Sequence, residues 1–336
     1  MTRIDLPTHI PRRKPPLRKR IVQTIGWLGF VGGGALTPRL AAKAAARVWC
    51  KVPGNPGRRK DNRPWPGEIT RLATPSGAEL VIETWEPYSN PDRPGRPADT
   101  TAKDPPAKSA DPEISTTTGP PKTVFLVHGW GGWRGQVAAF AAPLTRDGFR
   151  VVAFDALSHG DSGPGEHGPA HSTGSEMLRS LEAVANGIGQ PYGVIAHSLG
   201  CAATCRAYLT GKLACEKLTL VSPSPDMRQV ARTFSRKLGF GKRAERMLTE
   251  EMEKRAHGRL SDFDIAGMGA TGQLPDALVI HDTVDKESPY GVSQDIAVRW
   301  RGVRLITTDG LGHHRILIEP EVVQAAAANI TGLNVD

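Results

Sequence analysis

The sequence predicts an α/β protein built on a mainly parallel sheet flanked by helices. From Lys122 onward, apolar runs of strand length alternate with helical stretches, and the loops between them are short. Runs such as TVFLV and YGVIA are apolar throughout, as strands covered on both faces require. Each cluster of chemistry-bearing residues falls just past the end of such a run, where ligands bind in sheets of this kind.

The chain has 336 residues, 39% of them hydrophobic, enough for one large domain with a substantial core. Residues 1–60 read as a basic tail followed by an apolar helix. The first twenty or so are polar, basic and rich in proline, a composition that stays disordered. Residues 21–37, IVQTIGWLGFVGGGALT, are interrupted by glycines and stop at Pro38, short of the ~20 apolar residues of a membrane span. LAAKAAA could offer a cleavage site, but the long basic lead containing Pro15-Pro16 suits a signal peptide poorly. The favoured reading is a helix lying on the main domain or on a membrane surface.

Residues 61–87 hold a strand pair: Leu72, the turn Pro75-Ser76-Gly77 and the alternating run ELVIETWEP. Residues 88–121 are Pro, Asp, Ser, Thr, Lys and Gly with almost no large apolar residue, and read as a flexible linker or insertion. The α/β core occupies 122–225 and 275–336. Its strands are TVFLVHG, FRVVAFDA, YGVIAHS, KLTLVSPSP, ALVIHD and VRLITTDG. Its helices are VAAFAAPLTRDG, SEMLRSLEAVANGIG, LGCAATCRAYLTGKL, VSQDIAVRW and EPEVVQAAAANI. Between them, residues 226–274 insert two or three charged amphipathic helices.

The net charge of +9 is unevenly spread. Residues 1–60 hold 14 of the 43 lysines and arginines and one acid, Asp5, so the rest carries 33 acidic against 29 basic residues. A basic tail suits an anionic lipid surface or simple solvation. No helix-turn-helix, zinc-finger or RRM signature makes nucleic acid a specific partner. Cys50, Cys201, Cys205 and Cys215 do not form a disulfide framework, and Cys201 and Cys205 lack the second ligand pair of a zinc site. Free thiols of this kind point to a reducing, cytoplasmic setting.

Four constellations carry chemistry. In Ile195-Ala196-His197-Ser198-Leu199-Gly200, a buried strand runs into a serine and then an Ala-rich helix. A turn this tight needs small residues two before and two after the serine, met by Ala196 and Gly200. His128-Gly129-Trp130-Gly131-Gly132 follows the first long strand, and its glycines let backbone N–H groups face a ligand. His281-Asp282-Thr283-Val284-Asp285 ends another strand and offers two candidate acids. Leu311-Gly312-His313-His314 ends the last strand on a glycine-flanked loop. Gly160-Asp161-Ser162-Gly163 looks like the serine motif of all-β proteases, but it follows a parallel strand, so Asp155 and His159 there read as structural. The scattered His159, His167 and His171 are not a metal site.

Together HGWGG, FDALSHGDSG, AHSLG, HDTVD and GLGH resemble the bacterial serine esterases of the α/β-hydrolase fold, over about residues 122–330. The resemblance implies ester hydrolysis through an acyl-enzyme, without cofactor or metal, on a small-molecule ester or acyl substrate. It implies Ser198 as nucleophile, His313 as base with His314 as the alternative, and Asp285 as the orienting acid with Asp282 as its competitor. It also implies an oxyanion hole from the N–H groups of Trp130 and Leu199, and the strand order Ser198, Asp285, His313 fits this fold. His128 reads as structural. Residues 226–274 occupy the place of a helical cap. Thioester hydrolysis, acyl transfer, a membrane-associated lipase touching lipid through residues 1–60, and an inactive binding protein are the competing readings.

Overall fold

The computed structural model describes residues 32–34, 36–53, 60–88 and 119–332. The predicted disordered tail, most of the stretch 21–37 and most of the linker 88–121 lie outside the described residues. Described residues up to Trp49 group with Ala231–Met252, and those of Cys50–Val230 group with those from Glu253 onward. In the smaller unit, LAAKAAA lies within helix α1 (Pro38–Trp49), which has Ala41, Ala42, Ala45 and Ala46 buried. No helix among the described residues is long and apolar enough to cross a membrane.

The larger unit holds an eight-stranded sheet. Its strands are β1 (Glu68–Ala73), β2 (Glu79–Trp85), β3 (Thr123–Val127), β4 (Arg150–Phe154), β5 (Gly193–His197), β6 (Lys217–Val221), β7 (Ala277–Asp282) and β8 (Val303–Thr308), in the spatial order β1-β2-β4-β3-β5-β6-β7-β8. β2 pairs antiparallel with β1 and with β4, and the other pairings are parallel. The β1–β2 hairpin turns at the predicted Pro75-Ser76-Gly77, with Gly77 at φ +82° and Thr74 N–H donating to Ala78 O at 2.8 Å.

Strand alternation splits the core into two layers. Phe125, Val127, Val194, Ala196, Leu218, Leu220 and Val279 pack with residues of α3 (Gly174–Ile188), α4 (Leu199–Leu209) and α8 (Gly291–Arg299). Val124, Leu126, Ile195, Val221, Leu278 and Ile280 pack with residues of α2 (Ala141–Arg146) and α10 (Pro320–Thr331) on the other face. This double coverage is why these strands read as unbroken apolar runs. The 226–274 insertion forms α5 (Met227–Lys237), α6 (Lys242–Ala256) and α7 (Ile265–Gly269), and α9 (Gly312–Arg315) is a single turn after β8.

The stretch VAAFAAPLTRDG is not one α-helix. It holds a 3-10 turn, Ala138–Phe140, and then the short α2. Pro143 has no N–H and is tolerated only in the first turn, so the α-helix cannot begin much earlier.

A buried ion cluster fixes the chain after β3. The Arg134 guanidinium donates to Glu83 Oε2 at 3.0 Å, to Asp161 Oδ2 at 2.9 Å and to Asp155 Oδ2, while its N–H donates to Asp155 Oδ1 at 2.6 Å. Glu83 and Asp155 are completely buried. Burial pushes the Asp155 carboxyl up, against the pull of Arg134. The GDSG sequence belongs to this scaffold: Ser162 Oγ donates to Asp155 O at 2.7 Å and accepts Val81 N–H at 2.8 Å. Removing Arg134 takes the guanidinium away from two completely buried carboxyls, Glu83 and Asp155. Arg134→Leu is therefore expected to lower the free energy of unfolding, measured in urea, by about 3–5 kcal/mol; a loss under about 1 kcal/mol would show that the cluster is not held as an ion pair.

Candidate active site

Ser198 sits between β5 and α4 with φ +53° and ψ −122°, a left-handed conformation rare for a residue with a side chain. Its N–H donates to Val221 O at 3.1 Å, and its carbonyl accepts Ser224 N–H at 3.3 Å. The steric requirement read from the sequence is visible: a Cβ on Gly200 would lie 2.5 Å from His128 O. The Gly-rich loop approaches equally closely, since a Cβ on Gly129 would lie 2.7 Å from Ser198 Cβ. HGWGG and the serine turn are thus packed backbone to side chain. Gly131 adopts φ +69°. Among the described residues, neither Trp130 N–H nor Leu199 N–H has a hydrogen-bond acceptor.

His313 reaches Ser198 from the opposite side of the strand ends. Its Nε2 is 3.0 Å from Ser198 Oγ, and its Nδ1 is 2.7 Å from Asp285 Oδ2. The donor–acceptor logic places the proton on Nδ1, so Nε2 accepts from the serine hydroxyl. His313 lies on the one-turn helix α9 rather than on an open loop. Gly310 and Gly312, at φ +85° and +67°, make the bend that brings it there.

The two candidate acids have separate surroundings. Asp285 Oδ1 accepts the N–H groups of Glu287 and Ser288 at 2.8 and 2.9 Å, leaving Oδ2 for His313. Burial acts to raise its carboxyl, but hydrogen bonds from His281, His313 and Ser288 N–H outweigh this and hold it well below the usual range. Asp282 does not meet the imidazole. It accepts Gly312 N–H at 2.8 Å, Leu311 N–H at 2.9 Å and Thr308 Oγ1 at 2.8 Å, so it ties down the turn that carries His313. His314 faces away, toward Gln136 Nε2 at 3.1 Å and Glu287 Oε1 at 3.0 Å.

Two histidines escaped the sequence reading. His281, completely buried on β7, has Nε2 3.0 Å from Ser288 O and 3.3 Å from Asp285 Oδ2, and Nδ1 2.6 Å from Ser293 Oγ. Both acceptors require the proton on Nε2, so Nδ1 accepts from Ser293. The i, i+4 spacing His281–Asp285 beyond a strand was the available signal. His197 is buried beneath His313, ring centroids 4.7 Å apart, with Nε2 donating to His313 O at 3.0 Å. Its signal was a polar residue ending an otherwise apolar strand.

The structural reading of His128 and His159 fits their surroundings. His128 Nε2 accepts Ala156 N–H at 3.0 Å. Burial drops its pKa to about 4, and burial with the neighbouring His128 drops His159 to about 3. All four cysteines are buried and free, and burial pushes the Cys50 thiol up to about 11 and Cys215 to about 12. Among the described residues no group of three or more His, Cys, Asp or Glu could hold a metal ion.

Comparison with known proteins agrees with this architecture. Residues 124–326 match the model of the alpha/beta hydrolase family. The chain belongs to that family. The solved structure of Est1E from Butyrivibrio proteoclasticus bound to ferulic acid is similar at 16% identity, with a TM-score of 0.53 over 78% of this chain and 96% of that one. Mouse alpha/beta hydrolase domain-containing protein 10 is similar at 12% identity and TM-score 0.54, over 79% and 97% of the two chains. A thermophilic esterase from Thermogutta terrifontis is similar at 19% identity and TM-score 0.50, over 77% and 96%. At these identities the likeness is one of fold. No curated protein matches the chain by sequence.

The neutral His128 gives a pH prediction. Between its folded pKa of about 4 and the ordinary 6.5, the unfolded chain binds a proton that the folded chain does not. Stability therefore falls as pH drops through that window, by about 3 kcal/mol at its lower end for this residue. His128→Gln should flatten the plot of unfolding free energy against pH between 4 and 6.5 by about 1.4 kcal/mol per pH unit. An unchanged slope would mean that His128 titrates normally in the folded protein.

Proposed function

We propose that the protein is a serine hydrolase that cleaves carboxylic esters through an acyl-enzyme. One observation carries the reading: the continuous hydrogen-bonded series Ser198 Oγ, His313 Nε2, His313 Nδ1, Asp285 Oδ2, with contacts of 3.0 and 2.7 Å. His313 takes the proton of Ser198 as Oγ attacks the acyl carbonyl. Asp285 keeps the imidazole in the productive tautomer and stabilises the imidazolium. The N–H groups of Trp130 and Leu199 receive the oxyanion. The imidazolium then protonates the departing alcohol, and His313 removes a proton from the water that releases the acid. Asp285 suits this task because its hydrogen bonds keep it ionised. His281 acts through it as a positioning residue. Thioesters would be cleaved by the same groups, and competition between acceptors separates hydrolysis from acyl transfer.

Short-chain p-nitrophenyl esters provide the assay. Ser198→Ala and Asp285→Asn should each lower kcat by about 10⁴-fold. Asp282→Asn should cost far less in kcat, because it loosens the His313 turn without removing the orienting acid. The reverse ranking of the two aspartates would transfer the acid role to Asp282. Absence of ester turnover by folded wild type would favour a binding protein on this fold.

His281→Gln should lower kcat about tenfold with KM unchanged, since it frees Asp285 to rotate without touching the substrate. A change in KM alone would remove His281 from the positioning of the acid.

A further inference from the structure

We propose that the outward face of α1 is a docking surface for an anionic lipid bilayer. Residues four apart on a helix form a row along one side. Leu36, Leu40, Ala44 and Val48 make one such row, and Leu36, Leu40 and Val48 are 85, 66 and 51% exposed. Arg39, Lys43 and Arg47, all exposed, make the row beside it. The opposite side, Ala41, Ala42, Ala45 and Ala46, is buried. Thr37 N–H donates to Gly33 O and Ala41 N–H to Thr37 O, so the helical path runs across Pro38 and Leu36 leads into the apolar row. The helix is held from its inner side, where the Trp49 ring lies 5.4 Å from that of Phe234.

Packing among the described residues does not explain an outward apolar row, because its side chains are exposed. The neighbouring row narrows the occupant. Its three cations have no carboxylate partner among the described residues, and no acid stands on α1. A bilayer interface supplies both needs at the right separation: acyl chains for the leucines, and phosphates one long side chain away for Arg and Lys. Charge favours the same occupant. Residues 1–60 carry 14 basic residues and one acid, and Ala231–Met252, in the same unit as α1, adds six basic and three acidic residues. Residues 61–336 as a whole carry more acids than bases and have no such attraction. This proposal is independent of the ester-cleaving reading.

The test is co-sedimentation of the full chain with phosphatidylcholine vesicles and with vesicles of equal parts phosphatidylcholine and phosphatidylglycerol. Wild type should favour the anionic vesicles by about 100-fold. The triple variant Leu36→Ser, Leu40→Ser, Val48→Ser should bind them about tenfold less tightly, and Arg39→Gln, Lys43→Gln, Arg47→Gln about 100-fold less. Both variants change exposed positions and should keep the wild-type thermal unfolding midpoint, which is measured alongside. Equal wild-type binding to both vesicle types, or no binding, overturns the proposal. So does wild-type binding by both variants, which would assign attachment to the basic residues before α1. Loss in the charge variant alone also overturns it, because the apolar row would then be facing something other than a bilayer.

Discussion

The turn at Ser198 is the constraint on which the site depends. A strand paired on both sides must become a helix within one residue, and that residue must project its side chain from the sheet's edge. The backbone meets this with φ +53° at a residue that is not glycine, a conformation that costs about 1–3 kcal/mol. Neighbouring strands offset the cost: β3 and β6 flank β5, and Ser198 N–H is held by Val221 O. Gly200 then lets α4 pass the end of β3, and Gly129 lets the next loop close on the serine. The consequence is a hydroxyl fixed in direction at the end of β5.

The imidazole is placed by a second set of contacts that never touch the serine. Asp282 grips the backbone of the His313 turn, His197 holds the His313 carbonyl, and His281 with two N–H groups immobilises Asp285. The two adjacent aspartates thus divide positioning between backbone and side chain. Histidines 128, 159 and 197 are buried and pushed down in pKa by that burial, so they serve as neutral hydrogen-bonding wedges. His313 meets the Ser198 hydroxyl on one side and the Asp285 carboxylate on the other.

The fold was legible because its signals are local. Unbroken apolar runs such as TVFLV record coverage by helices on both faces, and Pro-Ser-Gly at 75–77 records a hairpin turn. Ser198 and Gly200 were legible for a steric reason that spacing alone conveys. Asp285 is the sequence's first choice over Asp282, but what separates them physically lies in the groups around them, Gly312 N–H for Asp282 and the His313 imidazole for Asp285, 28 to 30 residues away. His281 was hidden because a histidine ending an apolar strand looks like any strand-end polar residue until its ring is seen against Ser293 and Ser288. Arg134 carries no comparable signal: it lies in the loop after β3, while its partners Glu83 and Asp155 come from β2 and from just past β4. VAAFAAPLTRDG has a helical composition throughout, and Pro143 confines its α-helix to the second half.

The central claim is that Ser198 is an activated nucleophile. Intact-mass analysis after exposure to a fluorophosphonate tests it most directly, since a phosphonylated serine requires both an activated hydroxyl and an oxyanion site. The account predicts one adduct on the wild type, mapped by peptide analysis to Ser198, and none on Ser198→Ala. An adduct that persists in the variant, or a folded wild-type protein that takes up none, would contradict it.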